Sequence, residues 1–202
     1  KVSIVFHDVG KVFYQKELKD IRTHLSFKGH EFLSTFVFKK FYEQNKKLWH
    51  SNEIFGVDVV EPIKFAILFH HHAMDVRRRE DALKELDTGN IIRGISLFNL
   101  LFENLQTYLD QEDRLALKNA LFKIKNVLND FGVSKDNFKR EAEEDIRSVW
   151  RNVWSNKNNK VLSLILLNVL IVADNMSAQT KRTFSKSVFH QSVEEFYHTY
   201  LL

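Results

Sequence analysis

The chain has 202 residues, 44% of them hydrophobic and 28% charged, which suits one domain with a real core and excludes a disordered polyelectrolyte. It contains no Cys, so disulfides and thiolate metal sites are excluded and a reducing compartment fits. A formal net charge of +4 permits a polyanionic partner without requiring one.

Eighteen Phe against six Gly and one Pro favour long helices joined by short turns. The first notable stretch is FHDVGKVFYQKEL, Phe6 to Leu18, where an imidazole, a carboxylate and an ammonium crowd together between apolar flanks. GHEFLSTFVFKKFYEQNKKLW then predicts a helix with Phe32, Leu33, Phe36, Val37 and Phe41 on one stripe. Lys39, Lys40, Lys46 and Lys47 fall largely opposite. HSNEIFGVDVVE, His50 to Glu61, reads as a loop, and EPIKFAILFHHH as a helix entered near Pro62 and running into three histidines. Met74 to Asn90 is a second polar interruption, partly helical, with Arg77, Arg78 and Arg79 in a row. The spacing predicts one long helix from about Ile91 to Leu109 and another near Asp113 to Phe131, capped by Gly132. A further amphipathic helix follows, with Ser134 or Asp136 as N-cap. The most apolar run, Val161 to Ala173, has 13 residues and is interrupted by Asn168. That is short of the roughly 20 a spanning helix needs, so it reads as a buried central helix. TFSKSVFHQSVEEFYHTYLL closes the chain. No strand alternation, repeat or secretion signal stands out, and the fold expected is a single all-α domain over residues 1–202.

Four places combine nitrogen and oxygen ligands: His7-Asp8, His30, His70-His71-His72 and Asp174. Each lies in or at the end of an apolar helical segment. Taken singly, each has an ordinary structural explanation, such as a turn, a satisfied core histidine or a solvated helix end. Taken as an ordered set they point to a shared cation, because buried charge is costly unless it is paired or bound to a metal. Mixed imidazole and carboxylate ligands suit Mn, Fe, Co or Ni, and Mg where oxygen dominates. Lys11 stands three and four residues after Asp8 and His7, within reach of a phosphate oxygen at such a site. Ser177 follows Asp174 by three and brings a hydroxyl to the same helix face. Adjacent His70 and His71 diverge by about 100° on an ideal helix, so a helix end or distortion is expected there. His24, His50, His190 and His198 are left as structural or surface residues.

This ordered set resembles the HD superfamily of metal-dependent phosphohydrolases. More narrowly, it is similar to the HD nuclease domain of the type I CRISPR-associated interference nuclease-helicase, in its stand-alone form. HDVGKVFYQKEL resembles that family's HD-x-G-K followed by an aromatic, Gln and Leu, here His7, Asp8, Gly10, Lys11, Tyr14, Gln15 and Leu18. GHEFLS resembles its His-Glu-x-x-Ser at His30, Glu31 and Ser34, AILFHH its Ala-Ile-x-x-His-His, and ADNMSA its closing Asp. The resemblance spans residues 7 to 178, with the region from about 90 to 155 matching only as helices. Two departures stand out. The family's additional upstream histidine would precede Lys1, so the sequence is expected to be part of something longer. His72 stands where the family usually has Gly, and we take His70-His71 as the register.

The resemblance implies an HD-domain helical bundle with a metal site between helices, holding one or two divalent ions. His7, Asp8 and Asp174 would bind the first, and His30, His70 and His71 would bind or border the second. It implies hydrolysis of a phosphodiester by metal-activated water, with Asp8 at the reacting centre, Lys11 stabilising phosphoryl charge and Ser177 orienting a ligand or the scissile phosphate. The substrate implied is single-stranded DNA, with RNA as a second candidate. Lys39, Lys40 and Arg77 to Arg79 are candidates to track its backbone. No helicase phosphate-loop motif is present, so the implied partners are a separate CRISPR-associated helicase and an RNA-guided surveillance complex, in the cytoplasm and without a membrane. The alternative is an HD-type phosphohydrolase acting on nucleotides or cyclic dinucleotides, although the Gly-Tyr-Pro signature of one such branch is missing after the His pair.

Overall fold

The computed structural model describes residues 2–13, 29–49, 53–54, 56–71, 76–84, 95–130 and 135–180. Tyr14, Gln15, Leu18, His24, His50, His72, Gly132, Ser134, His190, His198 and the closing segment lie outside them, as does the side chain of Asp136. The described chain is predominantly α-helical. It opens with α1 (Val2–Phe6) and a 3-10 turn (Val9–Phe13), followed by α2 (His30–Trp49), which Gly29 enters from a left-handed φ of +84°. Glu53–Ile54 and Val57–Asp58 form a two-residue antiparallel hairpin with Gly56 at φ +69°, in the stretch read as a loop.

Helix α3 (Val60–Phe69) begins where the Asp58 carboxylate accepts the Val60 N–H at 2.9 Å, so Pro62 sits inside the first turn, where its missing N–H costs nothing. α4 (Val76–Lys84) occupies the arginine-bearing stretch. The predicted helix from Ile91 to Leu109 is instead broken: a 3-10 turn at Ile95–Leu97, α5 (Phe98–Leu105) and another 3-10 turn at Gln106–Tyr108. Asn104 Nδ2 donates to the Leu100 carbonyl and Thr107 Oγ1 to that of Asn104, and such side-chain bonds compete with the helical ladder. α6 (Gln111–Asp130) starts at Asp110, whose carboxylate accepts the Asp113 N–H. α7 (Lys135–Ser155) is followed by α8 (Lys157–Thr180), N-capped by Asn156.

The core is aromatic. Phe6 of α1 lies 4.7 Å from Phe41 and 5.7 Å from Phe38 of α2, centroid to centroid. Phe65 and Phe69 of α3 stack at 4.7 Å, with Trp150 of α7 against them. α2 packs on α6, α3 on α7 and α8, and α1 touches α2, α3 and α8. α2 is kinked at buried Asn45 (φ −120°), whose amide donates to Asp113 of α6. Lys39 departs from the solvated face assigned to it. Its ammonium is held at 2.7 Å by both Glu141 and Asp145 of α7, tying α2 to that helix.

The most apolar run is also corrected. It belongs to a 24-residue helix, and only 22% of its most apolar stretch, within Lys157–Ser177, is buried. By length and composition alone, that helix would suffice to cross a membrane. In the fold it presents Leu162, Leu167 and Leu170 inward, while Val161, Ile165, Val169 and Met176 form an exposed stripe. Near-uniform apolarity concealed which face packs, because a helix has one buried stripe whatever its reverse side carries.

Candidate metal centre

The site is built from helix ends. α1 stops at Phe6, whose ring is fully buried, and the His7 N–H still reaches the Ser3 carbonyl at 3.0 Å. The chain then tightens into the 3-10 turn, with the Lys11 N–H on the Asp8 carbonyl at 3.0 Å. Gly10 lets this turn lie directly on the first turn of α2. A Cβ there would stand 1.9 Å from the His30 carbonyl oxygen and 2.7 Å from the Ser34 nitrogen. The Gly10 N–H donates to Ser34 Oγ at 2.8 Å, and Ser34 is fully buried. Close approach plus this hydrogen bond carries Asp8 to His30, with Asp8 Oδ1 3.1 Å from His30 Nε2.

Of the helix end or distortion expected at the histidine pair, the structure has the end, with Phe69 the last residue of α3 and His70 its C-cap. The chain bends through His70 and His71, and both rings face His30, at centroid distances of 5.6 and 4.9 Å. Asp174 comes from the C-terminal part of α8, with Oδ1 3.5 Å from His7 Nε2. All six candidate ligands meet in two overlapping groups: His7, Asp8 and Asp174, and Asp8, His30, His70 and His71. Within each group the ligand atoms lie within 4.8 Å of one another, and Asp8 belongs to both.

The hydrogen bonds behind the ligands decide which nitrogens are available. His7 Nδ1 lies 2.7 Å from the Ile4 carbonyl and His70 Nδ1 2.8 Å from the Ile67 carbonyl. A carbonyl only accepts, so each Nδ1 carries the proton, and the neutral ring presents a lone pair at Nε2. That is the arrangement metal-binding histidines use. Among the described residues His70 Nε2 is buried without a hydrogen-bond partner, while His7 Nε2 and Asp8 Oδ1 face only other candidate ligands, Asp8 and Asp174 in the first case and His30 in the second. His71 Nε2 faces His30 Nε2 at 3.2 Å, and two lone pairs at that separation repel unless a proton or a cation lies between them. A divalent cation fits this donor set on chemical grounds.

Electrostatics agree. Burial, then the His71 ring, hold His70 well below the usual histidine range, so it is neutral at pH 7. His71, part of which remains exposed, is lowered to about 4 by desolvation and by His30. Burial opposes charge on His7, but Asp174, Asp8 and the Ile4 carbonyl outweigh it and raise its pKa. Burial disfavours the Asp8 carboxylate too, yet His30, His7 and Lys11 hold its pKa well below the usual carboxylate range. Asp174 is lowered by His7 against the opposing effects of burial and Asp8. The two acids are therefore ionised, and His70 and His71 neutral, at the pH where a cation would bind.

Lys11 Nζ sits 2.6 Å from Asp8 Oδ2, completing the trio of the opening motif. Ser177 is exposed, one turn past Asp174 on α8. Of the candidate strand-tracking residues, Lys39 is engaged by Glu141 and Asp145, Lys40 by Glu43 at 3.1 Å, and Arg77 is exposed. The side chains of Arg78 and Arg79 lie outside the described residues. Three supporting roles escaped the spacing argument: Gly10 as a contact point, Ser34 as its anchor, and buried Glu31, whose Oε2 lies 3.6 Å from His30 Nδ1. A glycine two residues after the acid was visible in the sequence, but its neighbour 24 residues on was not.

Comparison with protein-family models, curated proteins and solved structures finds no match for this chain.

Proposed function

We propose that this protein is a metal-dependent phosphodiesterase of the HD type, acting as a nuclease on single-stranded DNA, with RNA as a second substrate. The observation that carries the hydrolase part is the convergence of two backbone-anchored imidazoles, His7 and His70, with Asp8 and Asp174 in two overlapping groups of candidate ligand atoms. The nuclease part rests on the resemblance of the motifs around His7, His30, His70 and Asp174.

In this reading His7, Asp8 and Asp174 hold one divalent ion, and His30, His70 and His71, sharing Asp8, hold or border a second. Such an ion supplies Lewis acidity and a bound water of lowered pKa. The residues of the chain do the rest. Backbone bonds from His7 and His70 keep the imidazoles aimed. Ser34 and Gly10 hold the turn that carries Asp8. Lys11 places a positive charge beside Asp8, where it stabilises developing charge on phosphoryl oxygens. Ser177 orients the ligand from the exposed end of α8. No protein nucleophile is called for, in keeping with a chain that has no Cys. Unwinding of duplex would fall to a separate helicase, delivered with an RNA-guided complex.

The test is a hydrolysis assay of purified protein with Mn2+ against labelled single-stranded DNA, RNA, nucleotides and cyclic dinucleotides. Cleavage of the strands is expected. Asp8→Ala should lower it by at least about a hundredfold, since loss of mere outer-shell partners already reaches 10- to 100-fold. In chelator the variant should still unfold cooperatively, at a somewhat lower melting temperature, because the carboxylate that His30, His7 and Lys11 hold ionised is lost while the apolar core is untouched. Hydrolysis of nucleotides alone would replace the nuclease reading, and absence of any hydrolysis would leave a metal-binding module.

A further inference from the structure

A second feature lies outside the metal centre, between α5 and α6. Phe98, Phe102, Leu121 and Phe122 form an open groove bordered by Asn99, Asn119, Lys118 and Lys125. Phe122 is 64% exposed, a costly way to display a phenyl ring unless something covers it. The helix that carries it has its carboxylates, Glu112, Asp113 and Asp130, at its two ends only. From Arg114 to Asn129 it contains Lys118, Lys123 and Lys125 but no carboxylate. Among the described residues neither Lys118 nor Lys125 has an ion-pair partner. Leu115, Lys118, Asn119, Phe122, Lys125 and Asn126 recur at three- and four-residue spacing and are all exposed, so cation, amide and ring alternate along one face.

We infer that this groove binds a single-stranded nucleic acid, stacking an unpaired base on Phe122 while Lys118 and Lys125 neutralise the flanking phosphates. An aromatic platform between lysines suits a strand whose bases are free to turn outward. A protein partner is disfavoured by the same residues, because Lys is depleted from the cores of protein interfaces. The groove is also tied to the metal centre. Phe98, on its wall, meets Phe13 edge-to-face at 5.6 Å, and Phe13 closes the 3-10 turn that carries Lys11 next to Asp8. The choice of a strand as the ligand rests on the nuclease reading, while the groove chemistry stands by itself.

The experiment is fluorescence anisotropy of labelled oligo-dT and of a duplex, in chelator so that nothing is hydrolysed, with the whole chain. Phe122→Ala should weaken oligo-dT binding about tenfold, within the range measured for one stacked base. Lys118→Gln with Lys125→Gln should lower the slope of log affinity against log salt by about 1.4, at roughly 0.7 per phosphate contact. Lys84→Gln, exposed on α4, should change neither. Groove variants that bind within twofold of wild type overturn the inference, as does wild-type protein that binds no oligo-dT or binds duplex equally well. A dimer that sedimentation shows to be broken by Phe122→Ala gives the groove to a second copy of the chain, and that too overturns it. Loss of binding in these variants alongside absent hydrolysis would retire the nuclease reading and leave the groove standing.

Discussion

At the scale of single residues, the site depends on atoms that ligand spacing does not reveal. Gly10 is needed because two backbone segments touch, and Ser34 because the Gly10 N–H would otherwise be buried without an acceptor. Gly10→Ala forces its Cβ into the His30 carbonyl, a backbone atom that cannot turn aside. It should destabilise the protein by roughly 3 kcal/mol, the upper range of overpacking, or prevent folding. Ser34→Ala should cost about 1–3 kcal/mol, the desolvation cost of an unsatisfied donor. Urea denaturation of both variants measures this, and a Ser34→Ala midpoint equal to wild type would dismiss the anchor. The histidines teach the complementary lesson. Their identity was legible in the sequence, whereas the tautomer was not, because it is set by the carbonyls of Ile4 and Ile67 in the folded turns.

At the scale of elements, ends were more informative than interiors. The divergence of neighbouring side chains on a helix called for a helix end or a distortion at the histidine pair, and of the two it is the end, with Phe69 the last residue of α3. Interiors misled where apolar residues outnumbered the buried positions. α8 reads as uniformly buried, yet only one side of it packs, through Leu162, Leu167 and Leu170 with Leu166 and Ile171 beside them, while Val161, Ile165 and Val169 are exposed. Lys39 reads as solvated, yet it is drawn inward by two carboxylates more than 100 residues away in the chain. The faces of α8 can be told apart by mutation. Leu167→Ala should cost about 2–5 kcal/mol through the cavity it leaves. Val169→Ser, at a half-exposed position, should stay within about 0.5 kcal/mol of wild type. Chemical denaturation checks both, and equal losses would show that both faces of α8 are buried.

At the scale of the whole molecule, the centre joins the two ends of the described chain. His7 and Asp8 follow α1, while Asp174 sits near the end of α8, and α3 lies between them, packed on both. A cation gripped by both ends would bind the folded state and find no equivalent site in the unfolded chain, so it would stabilise the fold. At a hundredfold excess over Kd this amounts to about 2.7 kcal/mol, or roughly 5–10 °C in Tm for a chain of this size. Adding Mn2+ to chelator-stripped protein should raise Tm by that much. Asp174→Ala should reduce the increment to a small fraction, measured from the variant's own metal-free Tm. An undiminished increment in the variant would mean that Asp174 is no ligand.

The sequence by itself determined the helical class, the candidate ligands and the need for a helix end or distortion at the histidine pair. Each of these follows from periodicity, composition or the angle between adjacent residues on a helix, which are local properties of a chain. Only the tertiary structure decided that Asp8 is common to both ligand groups, that Gly10 lies on the backbone of α2, that Lys39 is taken up by α7 and that one stripe of α8 is left exposed. Those outcomes turn on contacts between segments tens to hundreds of residues apart. Such contacts depend on how volumes fill a shared core, and no short window of sequence contains that information.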